Sequence, residues 1–215
     1  MIKVMLADDE HLVRSGLRTI LSSAGDIEVV AECDDGLHVA ETARRHRPHV
    51  VLLDIRMGSV DGIFALRGLM ALPERPAVSM LTTFDVDEYV QEALRVGANG
   101  FLLKDTDPAQ LVKAVRDLAR GGAVLDPMVA ARLVTAVADG ARAAEPARRL
   151  LSSLSGRELE VVGLVGQGLS NAEIGQALHL SEATVKGYVS AVLGKIGAAN
   201  RVQAALVAYR GGLIA

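Results

Sequence analysis

Cysteine is almost absent from this chain of 215 residues: Cys33 stands alone. An internal disulfide is excluded, and a reducing compartment fits. Aromatic residues are also scarce, with three Tyr, three Phe and no Trp, so Ala, Val and Leu must fill the core. No apolar run nears the roughly 18 residues that cross a bilayer. The first ten residues, MIKVMLADDE, turn acidic too early for a secretory leader. The expectation is a cytoplasmic protein with no membrane partner. The five histidines are scattered, and no His or Cys spacing matches zinc. Gly163, Gly166 and Gly168 sit in a helical pattern, so they are no phosphate loop.

What the chain does contain is uneven. Residues 1–120 hold 14 Lys and Arg against 19 Asp and Glu, whereas residues 121–215 hold 9 against 7. The second half can therefore meet nucleic acid, although a basic surplus this small also fits a solvated face. The first 120 residues alternate strand and helix patterns: strands at Lys3–Asp8, Ile27–Cys33, Val50–Ile55, Ala77–Thr83 and Asn99–Leu103, and helices at His11–Ala24, Asp35–Arg47, Ile63–Ala71, Val86–Val96 and from Pro108. Five such repeats predict an α/β fold with a doubly wound, five-stranded parallel sheet. Residues 1–122 form this domain and 123–149 a linker with a short helix near Met128–Ala138. Residues 150–215 form a small all-α, four-helix domain. Ser155 with Glu158 and Ser170 with Glu173 both match the capping box that satisfies a helix start. Helices Asn171–Ala177 and Glu182–Lys195 are separated by a few residues, as in a helix-turn-helix.

The chemistry concentrates on HVVLLDIRMGSVDG, His49 to Gly62. Its apolar run reads as a strand buried on both faces, ending at Asp54. Asp8 and Asp9 end another. In a parallel α/β sheet, ligands bind outside the carboxyl ends of the strands. Carboxylates gathered there repel by about 4 kcal/mol per pair at an effective dielectric of 20, which calls for a divalent cation or a raised pKa. Mg2+ fits, because it takes a few carboxylates and keeps waters and phosphate oxygens. Thr82 and Lys104 end the fourth and fifth strands at the same edge, where a hydroxyl and an ammonium can hold a phosphoryl group on Asp54. Singly, the acids read as solvated loop residues and Lys104 as a surface lysine; their joint placement favours a site.

Asp8-Asp9, Asp54, Thr82, Phe101 and Lys104, in that order, resemble a response-regulator receiver domain. The segment from Leu154, LSGRELEVVGLVGQGLSNAEIGQALHLSEATVKGYVSAVLGKIGAANRVQAA, resembles a LuxR-type DNA-binding domain. Together they are similar to the NarL/LuxR family of two-component response regulators. That resemblance implies that a histidine kinase phosphorylates Asp54 and that Asp9 and Asp54 ligate Mg2+ directly. Asp8 would help through water, and the Arg56 carbonyl would be a further ligand. Lys104 would pair with the phosphoryl group, Thr82 would swing to it, and Phe101 would turn inward behind it. Phe101 stands where many members carry tyrosine, and Gly58 stands where proline is common, which implies a looser loop.

In the second domain the resemblance places the Glu182–Lys195 helix in the major groove of double-stranded DNA, with Thr184, Lys186, Tyr188 and Ser190 as contacts. Tyr188 replaces a frequent histidine. The last helix, through Val202, Leu206 and Tyr209, would carry the contact of a homodimer formed on phosphorylation. The function implied is a phosphorylation-controlled transcription regulator rather than an enzyme. Two alternatives stand beside it. A Mg2+-dependent aspartyl-phosphate hydrolase needs a general acid two residues past the nucleophile, where this chain has Arg56. A DNA-binding protein with a phosphorylation-independent receiver would not need the complete acid, hydroxyl and lysine set.

Overall fold

The computed structural model describes residues 1–58, 60–82, 87–126, 129 and 144–214, in two compact units. In the first, strands β1 (Ile2–Ala7), β2 (Ile27–Cys33) and β3 (Val50–Asp54) are followed by a short ribbon of β4 (Arg56–Met57) and β5 (Val60–Asp61). Strands β6 (Ala77–Thr82), β7 (Gly100–Leu103) and β8 (Val124–Leu125) complete the set. The main sheet runs β2-β1-β3-β6-β7-β8, and every neighbouring pair is parallel. Val4–Ala7 and Val50–Leu53 have no exposed surface. Strands covered on both faces cannot alternate polar with apolar residues, hence the unbroken apolar runs.

Helices α1 (His11–Ser22), α2 (Val39–His46), α3 (Gly62–Met70), α4 (Asp87–Val96) and α5 (Pro108–Ala119) connect the strands. Leu17 and Leu21 of α1 pack with Leu111, Val115 and Leu118 of α5 against Val4, Leu6, Val50, Leu52, Leu81 and Leu102. The intervening residues Met5, Val51, Leu53, Met80 and Phe101, also buried, point to the opposite face by the two-residue period of a strand. The chain crosses from β1 to β2 on one side and returns to β3 on the other. The strand order therefore reverses between β1 and β3, which opens a crevice at their carboxyl ends.

Three features depart from the expectations drawn from sequence. The sheet has a sixth strand, because Val124 and Leu125 pair with Gly100 and Phe101; two residues are too few to leave a periodic signal. The stretch after Ile55 folds back as the β4–β5 ribbon. Residues 144–149, expected as linker, belong to helix α6 (Ala144–Ser152), which buries Ala147 and Leu151. The short helix expected at 128–138 lies outside the described residues apart from Val129, as do Thr83 and Val86.

In the second unit α7 (Gly156–Gly166), α8 (Asn171–Leu178), α9 (Glu182–Ile196) and α10 (Arg201–Arg210) surround Leu154, Val161, Val162, Val165, Ile174, Val185, Val192 and Ile196. Both capping boxes form, at Ser155–Glu158 and Ser170–Glu173. The turn between α8 and α9 is close: a Cβ on Gly175 would lie 2.7 Å from the Leu180 carbonyl oxygen, so only glycine fits there.

Candidate functional site

Strand register assembles the acidic centre. Ala7 of β1 pairs with Leu53 of β3, so Asp8 and Asp54 emerge side by side. Asp54 pairs with Leu81, and Thr82 with Leu103, which brings Thr82 and Lys104 to the same edge. Asp8, Asp54 and Thr82 are buried. The Lys104 ammonium lies 2.9 Å from Asp8 Oδ2, 3.0 Å from Asp54 Oδ2 and 2.8 Å from Glu10 Oε1. The approach to Asp8 is a buried ion pair.

Electrostatics follow from that packing. Burial pushes the Asp54 carboxyl above its usual value; the Lys104 hydrogen bond opposes this, and the neighbouring Asp8 charge adds to it. For Lys104, burial works against the charge, but contacts with Glu10, Asp8 and Asp54 outweigh it and hold the ammonium well above its ordinary pKa. One cation is thus shared by three acids. The carboxylates of Asp8, Asp9 and Glu10 reach within 4.8 Å of one another. An oxygen-rich cluster whose several acids share a single ammonium suits a hard divalent cation.

Two participants were not foreseen from sequence. Glu10 directly follows the Asp8-Asp9 pair, which was its only visible signal. Gly58 was expected to loosen its loop. Instead, it sits in the left-handed region at φ +47 inside the β4–β5 ribbon, and its N–H donates to Asp9 Oδ2 at 3.1 Å. Proline could adopt neither that angle nor that donor role. Arg56 is exposed, and its backbone N–H supports the Asp54 carboxylate. Phe101 lies fully buried on β7.

Comparison with known proteins decides the family. Residues 4–116 match the response regulator receiver domain, and residues 152–208 match the bacterial regulatory proteins of the luxR family. The chain is 38% identical to the transcriptional regulatory protein YxjL of Bacillus subtilis over 99% of its own length and 97% of that protein's. It is 35% identical to the DNA-binding transcriptional activator DevR/DosR of Mycobacterium tuberculosis, covering 97% and 94%. A solved structure, the response regulator ChrA of a heme-sensing two-component system, shares 38% identity with coverage of 99% and 98% and a TM-score of 0.54.

This chain belongs to the response regulators. The response regulator carries a receiver domain and a LuxR-type DNA-binding domain, and it acts in two-component regulation of transcription. Receiver domains bind Mg2+ at an acidic site, and this receiver has such a cluster. The family points away from enzymatic function. Among the described residues, no helix is long and apolar enough to cross a membrane.

In the response regulator's helix-turn-helix, Lys186 and Ser190 are exposed on α9. Thr184 is exposed but engaged in the helix cap: its N–H donates to Ser181 Oγ at 3.1 Å, and the two hydroxyls lie 2.7 Å apart. Tyr188 is half-buried against the domain core, which limits its reach to a groove. On α10, Val202 is 4% exposed, so it cannot join a subunit contact without leaving its own domain. Leu206 is half-buried and Tyr209 exposed. Of the three residues expected at a dimer contact, Leu206 and Tyr209 keep exposed surface and Val202 does not, because helical spacing alone does not say which side the fold has already covered.

Proposed function

We propose that Asp54 accepts a phosphoryl group from a histidine kinase and that this switches dimerisation and DNA binding. The observation that carries the reading is Lys104, held by Asp54, Asp8 and Glu10 at 2.8–3.0 Å. In the transfer, an Asp54 oxygen forms a bond to phosphorus as the bond from phosphorus to the donor imidazole nitrogen breaks. The Asp54 oxygen must be ionised to attack, and the Lys104 hydrogen bond favours that form against burial. Lys104 then pairs with the phosphoryl oxygens, and Thr82, at the end of β6, reaches for another. Asp9, Asp54 and the Arg56 carbonyl would hold Mg2+, with Asp8 acting through water; bound there, the ion neutralises charge on the phosphoryl oxygens.

The product adds roughly −1.5 to −2 charge beside Lys104. Lys104 must then divide itself between the phosphoryl group and three acids, and Glu10, the exposed one, is the easiest to release. This redistribution is the switch. Its output is a homodimer joined through Leu206 and Tyr209 of α10, with two α9 helices reading half-sites about one turn of DNA apart. Labelling with acetyl phosphate and Mg2+ tests the assignment, with sedimentation and operator affinity measured before and after. Asp54→Asn is expected to abolish labelling. Undiminished, Mg2+-independent labelling of that variant would sink the site, and unchanged association and affinity on phosphorylation would sink the switch.

A further inference from the structure

We propose that Arg14 is a positioning residue for the cation site, acting through the backbone of Asp8; this rests on reading the acid cluster as a Mg2+ site. Both Asp8 and Asp9 lie just past the point where the sheet stops holding the chain, since the β1–β2 ladder ends at Ala7 opposite Cys33. Beyond it, the Asp8 N–H still donates to the Cys33 carbonyl at 3.1 Å, and Asp8 Oδ1 accepts from the Glu10 N–H at 2.8 Å. The Asp8 carbonyl has left the ladder. It is taken by Arg14 Nη1, which donates to it from α1 at 2.6 Å. That carbonyl and the N–H of Asp9 belong to one planar peptide unit, so fixing the oxygen also fixes where the Asp9 side chain starts.

Arg14 is itself held. Its Nε lies 3.4 Å from Glu32 Oε2 on β2, its side chain is only 11% exposed, and Arg18 takes the other Glu32 oxygen. The guanidinium is anchored by Glu32, which it shares with Arg18, and is directional and nearly buried, as a rigid support for a ligand-bearing turn should be. Positioning and simple charge make opposite demands. As a positive charge near the cluster, Arg14 would repel Mg2+, and removing it would tighten binding. As a support, its removal would let the turn relax and weaken binding.

The test is direct titration of the unphosphorylated full chain with MgCl2 by calorimetry, which does not depend on phosphoryl transfer. Groups that orient metal ligands typically change affinity by about 10–100-fold when removed. Arg14→Met is expected at the lower end, about tenfold weaker. Arg14→Lys keeps the charge but cannot span Glu32 and the Asp8 carbonyl in the same way, so a loss smaller than that of Arg14→Met is expected. Unchanged or tighter Mg2+ binding in a folded variant overturns the proposal, and Arg14→Lys is the deciding variant should Arg14→Met fail to fold. Asp9→Asn separates the two claims. If the wild type binds Mg2+, Asp9→Asn does not, and the Arg14 variants match wild type, only the role of Arg14 falls. If the wild type binds no Mg2+, the reading of the site falls and the role of Arg14 falls with it.

Discussion

Replacing Lys104 by methionine removes the one ammonium that Asp8, Glu10 and Asp54 share. Asp8 is fully buried and Asp54 nearly so, so these charges cannot simply return to water. Breaking a buried ion pair by deleting one partner costs about 3–5 kcal/mol when the orphaned charge persists. Proton uptake caps that cost, because each unit of pKa rise in a carboxyl represents about 1.4 kcal/mol. A loss of about 3 kcal/mol is therefore expected in Mg2+-free buffer at pH 7, read as a lower urea midpoint at unchanged slope.

Two further readouts make the result specific to charge. Burial already raises the Asp54 pKa in the wild type, and the Lys104 hydrogen bond opposes that rise; without Lys104 it must go higher. A carboxyl with a raised folded pKa contributes stability that is full below its unfolded pKa and lost as pH rises through the folded one. The deficit of Lys104→Met should therefore shrink towards pH 4 and be largest at neutral pH. A cation that binds only the folded state should also restore stability, by about 2.7 kcal/mol at a hundredfold excess over its dissociation constant. A deficit indifferent to both pH and Mg2+ would refute the account and leave Lys104 as packing.

Gly58→Pro is expected to weaken Mg2+ binding, because it removes the N–H that orients Asp9 and cannot reach φ +47, whereas Gly58→Ala keeps the donor and should lose about 1–2 kcal/mol of stability through the left-handed backbone alone; calorimetry and urea melts distinguish them. Glu158 is held at a pKa of about 2 by Lys195 and by the Ser155 backbone and hydroxyl, so its contribution is complete above its ordinary value near 4.5 and disappears as pH falls through about 2. Acid unfolding of residues 144–214, followed by helical circular dichroism, should flatten in Glu158→Gln, and an identical acid limb would count against the ion pair. Lys186→Ala should lose about 1–3 kcal/mol on the specific duplex and little on random DNA if Lys186 reads a guanine edge. Equal losses on both, with the salt slope reduced by about one, would leave it as a phosphate contact.

Local and nearly local signals made much of this molecule legible. The capping serines Ser155, Ser170 and Ser181 act within three residues of themselves, so their spelling suffices. The apolar runs ending at Ala7 and Asp54 announce buried strands, and with Thr82 and Lys104 at their own strand ends the gathering of these side chains at one sheet edge is legible from the chain alone. The alternation of strand and helix did the same for the parallel sheet, since right-handed crossovers leave few other ways to bury such strands.

Tertiary structure decided whatever depends on partners distant in sequence. Asp9 meets the Gly58 N–H and Arg14 meets both Glu32 and the Asp8 carbonyl only because β1, β2 and the β4–β5 ribbon converge. The pairing of Val124 and Leu125 with β7 has no period to betray it. On α9 and α10, helical spacing gives the residues on a face, but only packing shows that Tyr188 and Val202 are partly or wholly spent on their own core. A sequence records which groups are available at what spacing. Which of them remain free to touch a cation, a phosphoryl group or DNA is settled by burial, and burial is a property of the whole fold.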